Sequence, residues 1–479
     1  MNRLRQVEVS ALDPEQLAPV LGAARMAAFE RVAAAARTAF TGRAIVNVNS
    51  TGAGGGVAEM LRTLLGYSRG VGVDARWLVI SGDPAFFRIT KRVHNHLYGS
   101  PGDGGPLGPA ERAHYEQVLA ANGTELSALL RPSDVVVLHD PQPAGLAPAV
   151  RRAGATVVWR CHVGTDTPTA DTELAWEFLR PYVQDADALV FTRKSFAPSW
   201  VDPARVHAIA PSIDPLAVKN QPLSDEVVRG VLVHCGLLAN GTAPAPAPTF
   251  TRSDGSPGRV DRHADVLQTG PPPPPDAPLV VQVSRWDRMK DMPGVMSAFA
   301  EHVDGVTDAY LTLAGPSVTG VADDPEGGQE LQACMAVWQQ LPHPVRARVH
   351  LACLPMADLD ENAAIVNALQ RHAAVVVQKS LAEGFGLTVV EAMWKSRPVV
   401  GSAVGGIAEQ IVPGESGLLV EPTDLAGFGA AVRRLLARPD EAARLGEAAH
   451  RRAYEYFLGD RHLESYAALL TGLLGSGAR

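Results

Sequence analysis

Short apolar runs alternating with stretches of helical spacing set the rhythm of the first half of the chain. Residues 12 to 40, rich in Ala, Leu and Arg, carry helical spacing. Ala44-Ile45-Val46-Asn47-Val48 then reads as a buried strand that runs out into the turn Asn49 to Gly56, with a helix expected from Val57 to about Leu65. Further apolar runs at Ala75 to Ile80, Asp134 to Leu138, Ala155 to Trp159 and Ala188 to Phe191 alternate with helical stretches. Strands that alternate with helices predict βαβ units and a parallel sheet, hence the α/β class.

The same rhythm restarts after residue 277, with strands expected at Pro278 to Ser284, Ala309 to Ala314, Val349 to Cys353, Ala374 to Gln378 and Pro398 to Gly401. Two Rossmann-like lobes facing across a central cleft follow as the expected architecture. The expected division is a first lobe over 1–215 with a helical extension, a second over 216–455, and a last helix over 456–479 packing back on the first. Between the lobes Ala210-Pro211-Ser212-Ile213-Asp214-Pro215 reads as a hinge crossing. The segment 236–277, with alternating Ala and Pro at 243–248 and five prolines at 271–275, is expected to be an exposed, polyproline-rich insertion outside any regular core. Ligands of open α/β sheets sit beyond the carboxyl ends of the strands, so the informative loops are those that follow strands.

Composition narrows the class. At 479 residues the chain exceeds what one core usually supports, and 46% apolar with 20% charged residues is the balance of a globular enzyme. A net charge of −8 provides no basic field for a nucleic-acid backbone, and no Lys/Arg-rich run marks a membrane surface. The four cysteines, Cys161, Cys235, Cys334 and Cys353, show neither C-x-x-C spacing nor pairing with histidine and read as buried thiols. No stretch approaches the ~20 apolar residues of a membrane span, and the N-terminus has no signal-like apolar core, so a cytoplasmic protein is expected.

Candidate chemistry gathers at strand ends. Glu383 and Glu391 flank a Gly384-Phe385-Gly386 turn that runs through Leu387 and Thr388 into a helix. Free amides and the partial positive charge of a helix entrance suit phosphate, while carboxylates accept hydrogen bonds from sugar hydroxyls. The plainer alternative is a capping box, Thr388 capping the helix and Glu391 reaching back to the Thr388 amide from the first turn. Gly54-Gly55-Gly56 lets backbone amides approach an anion, though its spacing is not the dinucleotide fingerprint and a tight turn is the alternative. Arg285 and Lys290 follow the strand ending at Ser284 and can clamp a diphosphate; unpaired surface cations are the bland reading. His162 follows another strand, as does His139-Asp140-Pro141-Gln142, which could line an acceptor side. No metal site is expected: Asp185 and Asp187 precede their strand and point away from the ligand face.

Taken together, these residues resemble the GT4 family of retaining glycosyltransferases, which have the GT-B fold and carry a Glu-x7-Glu pair with an upstream Arg and Lys. The segments 47–61, 82–87, 159–162, 178–182, 211–215 and 378–381 are more narrowly similar to the trehalose synthases of the glycosyltransferring type, and share much with the retaining trehalose phosphorylases. The resemblance covers about residues 44 to 460. It implies that Arg285 and Lys290 hold a donor diphosphate, Glu391 the ribose hydroxyls, and Glu383 with the amides of Gly384 to Leu387 the donor sugar. Gly55 and Gly56 would close on the phosphates, and His162 would lie near donor sugar and acceptor.

The activity so implied is transfer of glucose from a nucleoside-diphosphate-glucose to glucose, giving trehalose, with no metal or other cofactor required. The partners implied are a nucleotide-sugar donor and a small sugar acceptor, without nucleic acid; a homodimer is the oligomer allowed for. The alternatives are a trehalose phosphorylase, a GT4 transferase using another acceptor, and, from a different class, a non-catalytic sugar or nucleotide sensor. The insertion at 236–277 departs from the compact connection expected of the family.

Overall fold

The structure is a computed structural model that describes residues 4–52, 54–241, 244–305, 307–318 and 325–476. The chain divides into two compact units, Met1–Asp214 with Phe457–Arg479, and Pro215–Tyr456.

The first unit is built on a seven-stranded sheet, in chain order β1 (Arg5–Gln6), β2 (Ala44–Asn49), β3 (Asp74–Val79), β4 (Val135–His139), β5 (Thr156–Cys161), β6 (Ala188–Phe191) and β7 (Val206–Ala208). Their spatial order is β1-β3-β2-β4-β5-β6-β7, all parallel except the antiparallel edge strand β1. The central strands are Val-rich because they are buried on both faces, which removes the alternation an exposed face would impose. One face packs Trp159, Phe178, Phe191 and Tyr115 into the main core, and the other packs Val137, Val158 and Ile209 under Leu470 of the helix Gly459–Ser476. That last helix is tied to the first long helix by a two-pronged Arg25–Asp460 pair at 2.6 and 2.8 Å.

The second unit repeats the plan with β10 (Asp265–Leu267), β11 (Leu279–Val283), β12 (Tyr310–Pro316), β13 (Val349–Leu354), β14 (Val375–Gln378), β15 (Val399–Ser402) and β16 (Leu418–Val420). The order is β10-β13-β12-β11-β14-β15-β16, with β10 antiparallel. In each sheet the chain first adds strands on one side and then jumps to the other. The reversal falls between β2 and β4 in the first unit, and between β11 and β14 in the second. Such reversals leave a crevice beyond the strand ends, where ligands of this architecture bind.

The Pro-rich insertion corrects the sequence expectation. Among its described residues, β8 (Thr249–Thr251) and β9 (Pro257–Arg259) form a hairpin, and β10 joins the main sheet edge. Phe250 and Val260 are buried, and Glu361 accepts hydrogen bonds from the Asp261 and Arg262 amides. Arg252 pairs with Asp358 at 2.7 Å. The proline runs at 244–248 and 271–275 lie outside these short strands and Pro257 opens β9, the first-residue position a strand tolerates for a residue without an N–H.

Candidate active site

Both loops at the β11/β14 reversal carry expected site residues. After β11 the chain makes the turn Arg288–Lys290, anchored by buried Trp286, whose indole N–H donates to Pro316 O at 2.8 Å. Asp287 accepts from the Met289 amide at 2.9 Å, and Gln282 Nε2 donates to Lys290 O at 2.8 Å, so the backbone of Lys290 is fixed from two sides. Asp291, next along, is left-handed (φ 47°) and is held by the buried ammonium of Lys379. The Lys379 Nζ also donates to Pro422 O at 2.8 Å.

After β14 the chain crosses to the same place, and the Leu381 amide donates to Met289 O at 2.7 Å, joining the two loops. Lys290 Nζ and Glu383 Oε2 meet at 2.5 Å, and Ser380 Oγ donates to the same oxygen at 3.1 Å. Both protein donors therefore fall on Oε2, and Glu383 Oε1 has no hydrogen-bond partner among the described residues. Lys290 in turn uses one of its three N–H donors on Glu383. Arg285 lies on the same loop, half-exposed, with one guanidinium nitrogen 3.1 Å from Asp287.

Beyond Glu383 the loop is turned by Gly386 (φ 85°), and the helix starts at Leu387 with no side-chain cap. Gln410 Nε2 donates to the carbonyls of Phe385 at 2.5 Å and Gly386 at 3.3 Å. Gly406 is equally constrained, because a β-carbon there would overlap Phe385 Cα. The loop's carbonyls are thus engaged from behind, while Gly386 at the N-cap supplies no side-chain acceptor to the first helical amides.

The capping box is not formed. Thr388 Oγ1 donates to Gln378 Oε1 at 3.0 Å, and Glu391 falls in the second helical turn rather than the first, because the helix begins at Leu387. Glu391 is buried, with Lys219 Nζ 3.7 Å from Oε1, while Oε2 has no partner among the described residues. A buried carboxylate oxygen without a donor is costly, and that cost is removed by a ligand carrying hydroxyls. Beside it, Lys395 Nζ donates to Gln370 at 2.8 Å, to Glu391 O at 3.1 Å and to Asn220 at 3.2 Å. Burial pushes Lys395 down to about 7 against the pull of the Glu391 charge, and its three acceptors match the three N–H groups of the ammonium form.

The first unit places its expected residues around its own reversal. Gly54 and Gly55 both have positive φ (75° and 76°) with no atom of the described residues outside their chain neighbours within 4 Å of a would-be β-carbon, and the helix starts at Gly55. Gly54, Gly55 and Gly56 are exposed, so their backbone is open to a ligand. His162 follows β5; its amide donates to Asp140 Oδ1 at 2.7 Å and its Nε2 lies 3.1 Å from His139 Nδ1. His139 Nε2 reaches Asn47 Oδ1 at 2.9 Å across the β2/β4 reversal. Burial, then the Arg160 charge, pushes His139 down to about 3 and holds His162 well below its ordinary value, so both rings are neutral at physiological pH.

Residues 47–198 match the family described as trehalose synthase, N-terminal domain, and residues 268–452 that of glycosyl transferases group 1. A trehalose synthase of Pyrococcus horikoshii is 33% identical over 434 residues, 91% of either chain. The chain belongs to the trehalose synthase family. Its members are glycosyltransferases, and so is this chain. A trehalose phosphorylase of Pleurotus pulmonarius is 26% identical over 78% of this chain and 50% of its own. The sucrose-phosphate synthase of Thermosynechococcus elongatus shares the GT-B fold, with a TM-score of 0.64 at 18% identity over 91% of this chain and all of that one.

Within this trehalose synthase family member, the structure brings Lys290 and Glu383 into contact and puts Arg285 on the Lys290 loop. Gly384, Phe385, Gly386, Leu387 and Thr388 form the turn and helix entrance that lead to Glu391. Sequence reasoning passed over Ser380, Gln410, Lys219 and Asn47. Each is a neutral or ordinary surface residue type whose partner lies 3 to 172 positions away, as Glu383, Phe385, Glu391 and His139 show.

Proposed function

We propose that the protein transfers glucose from a nucleoside-diphosphate-glucose to glucose with retention at the anomeric carbon, forming α,α-trehalose as a GT4-type enzyme. The observation that carries this reading is the ligand-ready pair of carboxylates at the β11/β14 reversal. Glu391 has a buried oxygen without a donor, suited to ribose hydroxyls, and Glu383 keeps one oxygen open beside the Lys290 ammonium, suited to the sugar.

Breaking the anomeric C–O bond leaves negative charge on the departing diphosphate and positive charge on the ring. In this reading Lys290, with two N–H donors to spare, Arg285 and the amides of Gly384 to Thr388 meet the first charge, and Glu383 steadies the second. Donors aimed at charge that grows along the reaction coordinate lower the barrier rather than tighten substrate binding. In the first unit, the exposed backbone of Gly55 and Gly56 suits a phosphate, and the neutral imidazole of His162 suits a sugar hydroxyl. Retention follows if the acceptor attacks from the face the phosphate leaves, its proton passing to the departing phosphate oxygen. The cations supply the positive charge, so the reaction needs no metal, and a chelator should leave the rate unchanged.

The test incubates purified protein with ADP-, UDP- and GDP-glucose plus glucose, with and without phosphate, and identifies products by NMR. Trehalose and free nucleoside diphosphate without phosphate are expected. Glucose 1-phosphate from trehalose plus phosphate, with no transfer from any nucleotide sugar, would overturn the reading in favour of a phosphorylase.

A further inference from the structure

His162 does not stand alone. Its Nε2 lies 3.1 Å from His139 Nδ1, the two rings are nearly parallel (13°) with centroids 5.4 Å apart, and His139 Nε2 lies 2.9 Å from Asn47 Oδ1. All three side chains are buried. We infer that Asn47 and His139 are positioning residues that fix which nitrogen of His162 carries the proton, so that His162 presents Nδ1 to the substrate as a hydrogen-bond acceptor.

The direction of the relay follows from the one group in it that cannot donate. Asn47 Oδ1 only accepts, so His139 Nε2 carries a hydrogen. In a neutral imidazole the other nitrogen is then a lone pair, so His139 Nδ1 accepts from His162 Nε2–H. His162 is left with a lone pair on Nδ1, which bonds no protein group among the described residues.

Neutrality is enforced by what surrounds the pair. Arg160 on β5 is fully buried and faces the same layer, as do His462 and Tyr466 on the last helix; Asp140, just after β4, and Cys161, at the end of β5, flank it. Asp140 Oδ1 is occupied by the His162 amide, so it holds the backbone rather than the ring. A further positive charge here would be buried beside the Arg160 guanidinium, and the relay therefore keeps its polarity. Resting on the proposed placement of His162 at a sugar, the consequence is chemical selectivity: the hydroxyl it meets must be a donor, and a fluorine in that position cannot replace it.

Two measurements test this. In protein labelled with ¹⁵N-histidine, His162 Nε2 is expected to be protonated and coupled through the hydrogen bond to an unprotonated His139 Nδ1. A proton found on His139 Nδ1, or on His162 Nδ1, overturns the inference without reference to activity.

The second uses Asn47→Asp. Its carboxylate favours an imidazolium at His139, whose Nδ1–H would force His162 into the opposite tautomer. Activity should fall at least about tenfold at pH 7 and recover as pH rises and His139 is deprotonated. A merely structural role gives a loss with the wild-type pH profile, and that result contradicts the relay. His139→Phe, which keeps the ring but not the acceptor, should lose about ten- to a hundredfold in kcat with the donor KM nearly unchanged. A folded His139→Phe protein with wild-type kcat overturns the inference. Full activity in His162→Ala would instead remove the sugar role of His162, leaving the NMR result to decide the relay separately.

Discussion

In the proposed reaction Lys290 and Glu383, in contact at 2.5 Å, act on the leaving group and on the sugar, so the loss of either should show in turnover. Lys290→Ala removes a cation aimed at the leaving group and should cost about 2 to 4 kcal/mol of transition-state stabilisation, or ~10² to 10³ in kcat. It also leaves buried Glu383 without its counter-charge, so some thermal stability should go with it. Glu383→Gln should cripple turnover while nucleoside diphosphate still binds normally by calorimetry; lost nucleotide affinity would contradict its assignment to the sugar. Glu391→Gln should do the reverse. It exchanges the orphaned oxygen's environment for an amide and should weaken nucleotide binding by about 1 to 3 kcal/mol. Preference for ribose over 2′,3′-dideoxyribose should shrink with it.

At the scale of elements, the site is held by close backbone approach, and Gly406 is its tightest point. Gly406→Ala should push the Phe385 turn outward, costing about 1 to 3 kcal/mol of stability and a larger share of activity than of nucleotide affinity, read by melting and by kcat against Kd.

The main parallel strands at both reversals were legible in the sequence because runs such as Val135 to Leu138 and Val375 to Val377 are buried on both faces and spell themselves out as uninterrupted apolar stretches. Strand ends then located Arg285, Lys290, Glu383 and His162. The helix start was not legible in the same way. Thr388-Val389-Val390-Glu391 fits a capping pattern, and only the tertiary pull of Gln378 on Thr388 and of Gln410 on the Phe385 turn moves the start to Leu387. The short strands β8, β9 and β10 were hidden for a related reason. Three residues carry no period, and their stability comes from distant partners such as Glu361 and Asp358.

Over the whole molecule, the buried histidine layer of the first unit predicts how stability responds to pH. Burial pushes His139 and His462 down to about 3, and holds His162 well below its ordinary 6.5. Unfolded, each takes up a proton as pH falls through about 6.5. Their contribution is therefore complete above that pH and is lost progressively toward about 3. Asp140, pushed up to about 6 by burial, has the opposite sign between its ordinary 3.8 and 6, because there the folded form keeps a proton the unfolded one has released. Three histidines outweigh one aspartate, so the melting temperature should drop steadily from pH 7 to pH 4, and less steeply in His462→Gln. A flat profile would contradict the burial of neutral rings.

In the proposed reaction, one reversal in the second unit grips a nucleotide sugar and releases its glucose to a second sugar without inverting it. The direct measurement follows ADP-, UDP- or GDP-glucose labelled with ¹³C at the anomeric carbon, mixed with unlabelled glucose and wild-type protein, by NMR from the first minutes. The labelled carbon should appear in the α configuration within α,α-trehalose, at a rate that Lys290→Ala reduces at least a hundredfold. A β-configured product, or transfer undiminished in that variant, would contradict it.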